Sequence, residues 1–413
     1  MNQQLSGSNI NLVKAHNIQV VLLNLLNEES LSRVQLARRT KLSNTTITNL
    51  VSELIDQGII VEENGSEIPD DIIRPVGRPR TSIRLQPNAR YVFGIHIGVG
   101  TFRVALTNLR DEIIDTCNQE FDVKMPAEPV LEQMVACVES LIDSNNITRE
   151  HVIGLGVGAS GLVDFPTGVN IVASNLSWRN IPIRDYLQER LHLPVVVDNN
   201  VRTMAIGETY FGAGRNSNSL VFVYGRVGVG AGLTFKGDIY RGNTMGAGEI
   251  GHTIMLMHGG ERCHCGNSGC LETLVSESAI LRQSDKIASQ NPDGILAQLE
   301  VSDDVSAIER VFIAGRQGDE NVRQMLEERG EYLGIALVNV VNLFNPEQIL
   351  LGGIFSQGQD FFLEPAIKAV RQMSFGRMGE KVTIQSTTFG WKAGVVGAAA
   401  LALINFFYQA ENQ

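Results

Sequence analysis

Residues 225–232 read Gly225-Arg226-Val227-Gly228-Val229-Gly230-Ala231-Gly232. Glu249-Ile250-Gly251-His252 and then Cys263-His264-Cys265-Gly266-Asn267-Ser268-Gly269-Cys270-Leu271-Glu272 follow. A glycine run alone is a weak signal, because many tight turns use one. Joined to a histidine and three clustered cysteines it becomes specific. His252, Cys263, Cys265 and Cys270 offer one nitrogen and three sulfurs, the donor set of a closed tetrahedral structural zinc site. Clustered cysteines inside a cell indicate metal before disulfides. Cys117 and Cys137 stand alone in the sequence and read as reduced and inert.

On both sides of this stretch, strands alternate with glycine turns. Tyr91–Ile97 and Arg103–Asn108 have strand patterning, and Val152–Val157 is an apolar strand ending at Gly158. Val195–Val197 ends at Asp198-Asn199-Asn200. Ser219–Tyr224 and Gly230–Phe235 open a second strand-rich set, and Gln348–Leu351 ends at Gly352-Gly353. Glu331–Leu343 and Ala393–Phe407 read as helices. Two strand-and-helix halves, each opened by a glycine turn, predict a duplicated α/β protein with a cleft between lobes.

The first 90 residues differ in kind. Asn17–Leu26 is an apolar helical stretch, and Ser32 precedes Gln35 at capping-box spacing. Ser43 reads as the N-cap of a third helix, on which Ile47, Leu50, Val51 and Leu54 form one apolar face. The other face shows Asn44, Thr45, Thr46, Thr48, Asn49 and Ser52, short hydrogen-bonding side chains without charge. Strands at Ile59–Val61 and Thr81–Leu85 complete the order of a winged helix-turn-helix, which sets the start of its last helix against base edges in the major groove. Ser43, Asn44, Thr45, Thr46, Thr48, Asn49 and Arg33 are the candidate contacts to double-stranded operator DNA. Glu62–Asp71 reads as a mobile acidic loop. Arg74, Gly77, Arg78, Pro79 and Arg80 then suit a narrow minor groove, whose negative potential draws arginine.

Overall charge points the other way. The chain of 413 residues has a net charge of −11. Residues 1–90 carry ten basic and nine acidic groups, leaving 24 basic and 36 acidic for the rest, so the acidity belongs to the body. A hydrophobic content of 43% with 19% charged residues fits a folded protein rather than a disordered one. No apolar run reads as a membrane span, and Met1–Leu12 lacks the order of a signal peptide, so a cytoplasmic location is expected.

The glycine run, the His and Cys cluster and Glu272 together resemble the signature of the ROK family of repressors, open reading frames and sugar kinases. The resemblance extends over nearly the whole chain. The N-terminal module and Gly77-Arg78-Pro79 are similar to the repressor branch, with its xylose-, glucose- and N-acetylglucosamine-responsive regulators. It implies an N-terminal winged helix-turn-helix over 1–88, followed by the two-lobed actin-like ATPase fold of ROK sugar kinases. The first α/β lobe would span 89–205, completed by a C-terminal helix at 393–410, and the second 206–392 with the zinc loop. The family holds zinc at the positions of His252 and the three cysteines, although the interval from His252 to Cys263 is one residue longer here. His258 and His264 match no ligand position. The resemblance further implies a homodimer or a dimer of dimers. It makes Asn199, Asn200, Glu249, His252 and Glu272 the groups that bind a monosaccharide inducer, with Asn175 and Gly158 as weaker candidates.

The expected function is therefore a sugar-responsive repressor of carbohydrate-utilisation genes. A sugar kinase with an appended DNA-binding module is the alternative. Counting back from Gly207-Glu208 puts the family's catalytic aspartate at Asn200, and an amide cannot take a proton from a sugar hydroxyl. Asp198, two residues earlier, is expected to point elsewhere. The metal-linked aspartate of the first phosphate turn is His96 here, and the Thr-Gly of the second is Val227-Gly228 behind Arg226.

Overall fold

The computed structural model describes residues 10–64, 81–302 and 304–409. Arg74, Gly77, Arg78, Pro79, Arg80 and most of the Glu62–Asp71 loop lie outside the described residues.

The N-terminal module assembles from its caps. α1 (Ile10–Asn27) starts well before the apolar run that announced it. α2 (Arg33–Thr40) opens on a complete capping box: Ser32 Oγ accepts from the Gln35 amide, and the Gln35 side chain accepts from the Ser32 amide at 2.8 Å. Lys41, in the left-handed region, turns the chain into α3 (Asn44–Asp56). Ser43 caps α3, and Ile47, Leu50, Val51 and Leu54 are buried beneath it. β1 (Ile60–Asn64) and β2 (Thr81–Leu85) form an antiparallel wing with Ile60 opposite Leu85.

The rest is built on two five-stranded sheets of one topology. In the first, β3 (Tyr91–Ile97), β4 (Thr101–Asn108) and β5 (Ile113–Glu120) form an antiparallel meander. Helix α4 (Ala127–Ser144) leads to β6 (Val152–Ala159), which pairs parallel with β3. A small antiparallel sheet of β7 (Leu162–Asp164), β8 (Val169–Ala173) and β9 (Trp178–Ile181) follows, then α5 (Ile183–Leu191) and β10 (Val195–Asn199), parallel to β6. After α6 (Asn200–Phe211) the plan repeats. β11 (Ser219–Gly225), β12 (Val229–Phe235) and β13 (Asp238–Ile239) form the second meander. Helices α7 (Glu277–Gln290), α8 (Ala307–Arg316) and α9 (Glu320–Phe344) precede β14 (Gln348–Gly353), and α10 (Gln359–Met373) precedes β15 (Thr383–Ser386). β14 lies parallel to β11, and β15 parallel to β14. The strand orders β5-β4-β3-β6-β10 and β13-β12-β11-β14-β15 are the same arrangement twice, as the two glycine-opened halves of the sequence imply.

The C-terminal helix α11 (Ala393–Leu403) packs on β3, β6 and α6. The approach is so close that a Cβ on Gly94 would stand 2.2 Å from the Val395 carbonyl oxygen, and one on Gly156 1.8 Å from that of Ala398. Glycine is required at both positions by contact rather than by φ. Contrary to the expectation that no run is long enough, Gly390–Tyr408 meets the length and composition of a membrane span. Every residue of α11 is buried, so this hydropathy serves the interior.

The far end of α11 and the turn after it share one apolar cluster with Val21, Leu22, Leu25 and Leu26 of α1. Arg110 donates to the carbonyls of Leu25 and Glu28, and Arg215 to that of Leu26. These bonds satisfy carbonyls that a helix C-terminus leaves unpaired. The expectation of isolated thiols is corrected: Cys117 on β5 and Cys137 on α4 form a disulfide, Cα to Cα 5.9 Å. Packing of α4 against β5 brings together positions 20 apart, which no local spacing encodes.

Candidate functional site

A cavity of 480 Å³ lies between the two sheets. Its size falls in the usual range of small-molecule sites. Asn175, Asn199, Asn200, Glu249, His252 and Glu272, named from the sequence for a sugar, all line it, with Ser160, Gly161 and His264. The ends of β6 and β10 supply Ser160 and the two asparagines, because parallel strands leave their carboxyl ends open to a crevice. The turn after β13 supplies Glu249 and His252, and the cysteine loop supplies His264 and Glu272.

These side chains are not equally available. Asn199 caps α6: its Oδ1 accepts from the amides of Val201 and Arg202, and its Nδ2 donates to the Gly161 carbonyl at 2.9 Å. It shapes the wall and has little capacity left for a ligand. Asn200 is half-buried. Its Nδ2 stands 3.3 Å from Ser160 Oγ, a long contact that a ligand hydroxyl can replace. Glu272 is buried, with Oε2 accepting from the Val229 amide at 3.0 Å and Oε1 3.0 Å from His264 Nδ1. His264, set aside in the sequence for matching no ligand position, is therefore a wall residue. Its alternation with Cys263 and Cys265 was the available signal.

Asp198 does not reach the cavity. Its carboxylate is fully buried, with Oδ1 2.6 Å from Arg202 Nε and Oδ2 2.9 Å from Arg241 Nε. Arg202 also donates to the carbonyls of Met245 and Val163. Sequence reasoning missed both arginines, although Asp198 and Arg202 have the four-residue spacing of a helical pair.

His252, Cys263, Cys265 and Cys270 place one donor atom each within 4.8 Å of the others. Cys263 Sγ is 3.6 Å from His252 Nδ1, and Cys265 Sγ is 3.7 Å from Cys270 Sγ. A tetrahedral ion with bonds of about 2.3 Å to sulfur sets its sulfur ligands about 3.8 Å apart, so the cluster fits a structural metal. The extra residue between His252 and Cys263 is absorbed in the loop without separating the donors. His252 also lines the cavity, so one imidazole borders both sites.

At the other end of the molecule, α3 turns Asn44, Thr45, Thr48 and Asn49 to solvent. Ser43 Oγ is committed to the cap, accepting from the Thr46 amide at 3.0 Å and touching Thr46 Oγ1 at 2.8 Å. Thr48 Oγ1 donates to the Asn44 carbonyl. Among the described residues the side chains of Asn44, Thr45 and Asn49 have no partner within the chain. Arg33 pairs with Glu62 of the wing at 2.7 Å.

Residues 18–61 match the winged helix-turn-helix DNA-binding family, and residues 92–404 match the ROK family. A protein named xylose repressor, from Caldicellulosiruptor bescii, is 29% identical over 96% of this chain and 97% of its own length. A glucokinase from Halalkalibacterium halodurans is 30% identical over 76% of this chain and 94% of its own. A crystal structure described as a ROK family transcriptional regulator, homologous to the Escherichia coli MLC protein, superposes with a TM-score of 0.81. It is 26% identical, covering 96% of this chain and 98% of that one. The glucokinase aligns only with the body, whereas the two regulators align through the DNA-binding module as well. With a winged helix-turn-helix in front and the duplicated kinase-type body behind, the chain belongs to the ROK family and is similar to its transcriptional regulators.

Proposed function

We propose that this chain is a sugar-responsive transcriptional repressor of carbohydrate-utilisation genes. In this reading α3 and the arginine-rich wing bind operator DNA, and a monosaccharide such as D-glucose or D-xylose binds between the sheets, held by Asn200, Glu249, His252 and Glu272. The metal of the cysteine cluster is zinc. It holds the loop and fixes the His252 ring by one nitrogen, so that the other can address the sugar. The reading takes the molecule to be a cytoplasmic homodimer or dimer of dimers. Sugar lowers operator affinity by binding more tightly to the state whose reading helices are wrongly spaced.

The observation that carries the non-enzymatic half is the pairing of Asn200 with a sequestered Asp198. The cavity then holds hydrogen-bonding groups suited to a sugar, but no aspartate at the base position. The alternative, a sugar kinase with a DNA-binding module attached, draws on the identity to the glucokinase. A coupled ATP-consumption assay with glucose, xylose, mannose and N-acetylglucosamine separates the two. Turnover near one per second, typical of enzymes, excludes the repressor-only reading. A gel-shift titration of the operator with each sugar tests the rest: release by one sugar at a fixed concentration is expected.

A further inference from the structure

Met245 holds a backbone conformation that methionine rarely adopts, φ 56°, in a segment that also turns through the left-handed region at Gly242 and Gly248. A side chain in that region needs surroundings that enforce it. The segment runs from Arg241 to Gly248, after β13, along the cavity wall. Thr244, Gly246, Ala247 and Gly248 line the cavity, and Glu249 and His252 follow. Both ends are tied to the second sheet: the Tyr240 amide donates to the Leu233 carbonyl at 2.8 Å, and the Ala231 amide to that of Gly248 at 2.7 Å.

Between those ties the segment is held by the other half of the molecule. Arg241 reaches across to Asp198, near the end of β10, Nε to Oδ2 2.9 Å. Its guanidinium lies 3.6 Å from the centre of the Phe165 ring, in the turn between β7 and β8. Arg202 of α6 donates to the Met245 carbonyl and, through Nε, to the other Asp198 oxygen. The Asn199 amide also donates to Asp198 Oδ1, at 2.7 Å. One buried carboxylate therefore joins the strand end that carries Asn199 and Asn200 to the segment that leads to Glu249. Arg202 alone neutralises that carboxylate. Arg241 brings a second guanidinium whose own desolvation is costly, and what it adds is a bond between the two walls of the cavity.

We propose that Arg241 is a positioning residue for the sugar cleft. It fastens residues 241–248 to Asp198 and Phe165, and so fixes the gap between Asn200 on one wall and Glu249 and His252 on the other. The proposal rests on the sugar-cleft reading above and names the contact that holds the two walls in register. A ligand that needs groups from both walls binds tightly where their separation is already set, because a site that must be ordered on binding loses affinity.

The test compares the wild-type chain with Arg241→Gln, Arg241→Lys and Phe165→Leu, each at full length. Calorimetry measures binding of D-glucose, D-xylose and N-acetyl-D-glucosamine, hydrogen exchange follows the amides of residues 241–248, and urea unfolding checks that each variant is folded. Arg241→Gln is expected to weaken the sugar that the wild type binds by about tenfold or more and to speed exchange across 241–248. Arg241→Lys, which keeps the charge, is expected to recover part of both. Phe165→Leu, which removes the ring and leaves the ion pair, is expected to cost about threefold, the worth of a modest cation–π contact. A folded Arg241→Gln that binds sugar as the wild type does makes Arg241 purely structural and overturns the proposal while the sugar cleft stands. Weaker binding with unchanged exchange across 241–248 overturns it equally, since the arginine would not be holding that segment. Should Arg241→Gln fail to fold, Phe165→Leu decides alone, and wild-type affinity in that variant overturns the proposal. Wild-type protein that binds none of the three sugars overturns the cleft reading, and the proposal with it, before any variant is made.

Discussion

Asp198, near the end of β10, and Arg202, in the first turn of α6, form an ion pair buried on both sides, Nε to Oδ1 2.6 Å. Arg241 closes the other carboxylate oxygen, its guanidinium 3.6 Å from the centre of the Phe165 ring. Removing one partner of such a pair strands a buried charge, at a cost of about 3–5 kcal/mol. Asp198→Asn is therefore expected to lower the unfolding free energy by that amount, read as a fall in the denaturant midpoint at unchanged slope. A loss below about 1 kcal/mol, within the range of exposed pairs, would show that the carboxylate is not held as described.

His96 gives a pH dependence of definite sign. Its pKa lies near 3 in the fold against 6.5 for the free side chain, lowered first by burial and then by Arg103 and Arg226. Between these values the unfolded chain holds a proton that the folded chain does not, so stability falls as pH drops from 6.5 towards 3. Between pH 6.5 and 5 the loss is about 2 kcal/mol. Urea unfolding at the two pH values, compared with His96→Gln in phosphate-free buffer, isolates it; an equal loss in both proteins would refute the assignment.

Cys265→Ser removes one donor of the metal cluster. Elemental analysis is expected to find one zinc per wild-type chain and little in the variant, with a lower melting temperature. The sugar-dependent thermal shift is expected to shrink as well, because His252 borders both sites. Wild-type protein free of metal would end the zinc reading.

Asn49→Ala shortens a side chain of α3 that has no partner among the described residues. A lost bidentate base contact costs about 1–3 kcal/mol, a fall of about 5- to 150-fold in affinity for one base at one operator position. A uniform fall across all operator variants would instead indicate a backbone contact. Arg78→Ala, in the arginine-rich stretch that the sequence reads as a minor-groove contact, is expected to weaken binding most at narrow-groove, A·T-rich positions.

Gly394, in the first turn of α11, lies against the His96 ring: a Cβ there would stand 2.5 Å from the imidazole. At the helix's other end, Tyr408 donates to the Leu109 carbonyl at 2.6 Å, beside the apolar cluster shared with α1. Tyr408→Phe leaves that carbonyl unpaired and is expected to cost about 1–3 kcal/mol. If α11 carries the signal, the variant also alters the sugar concentration that releases operator. Unchanged release at reduced stability would assign Tyr408 a purely structural role.

The sequence by itself determined what is local or periodic. Ser32 and Ser43 marked helix starts because a cap requires only a side-chain oxygen and the next three residues. Ile47, Leu50, Val51 and Leu54 marked a buried face because helical geometry repeats over single turns. The wing strands and both glycine-opened halves were legible for the same reason. The His and Cys spacing likewise marked a donor cluster, since a metal limits which residue types can stand together.

Tertiary structure alone decided what depends on approach between distant segments. It joined Cys117 to Cys137, placed His264 on Glu272, committed Asn199 to a cap, and locked Asp198 between Arg202 and Arg241. It also buried α11, the centre of the apolar Gly390–Tyr408 stretch, whose hydropathy is the same in a core as in a membrane. Side-chain availability is set by three-dimensional neighbours, and a sequence records the groups without recording which of them are already bonded.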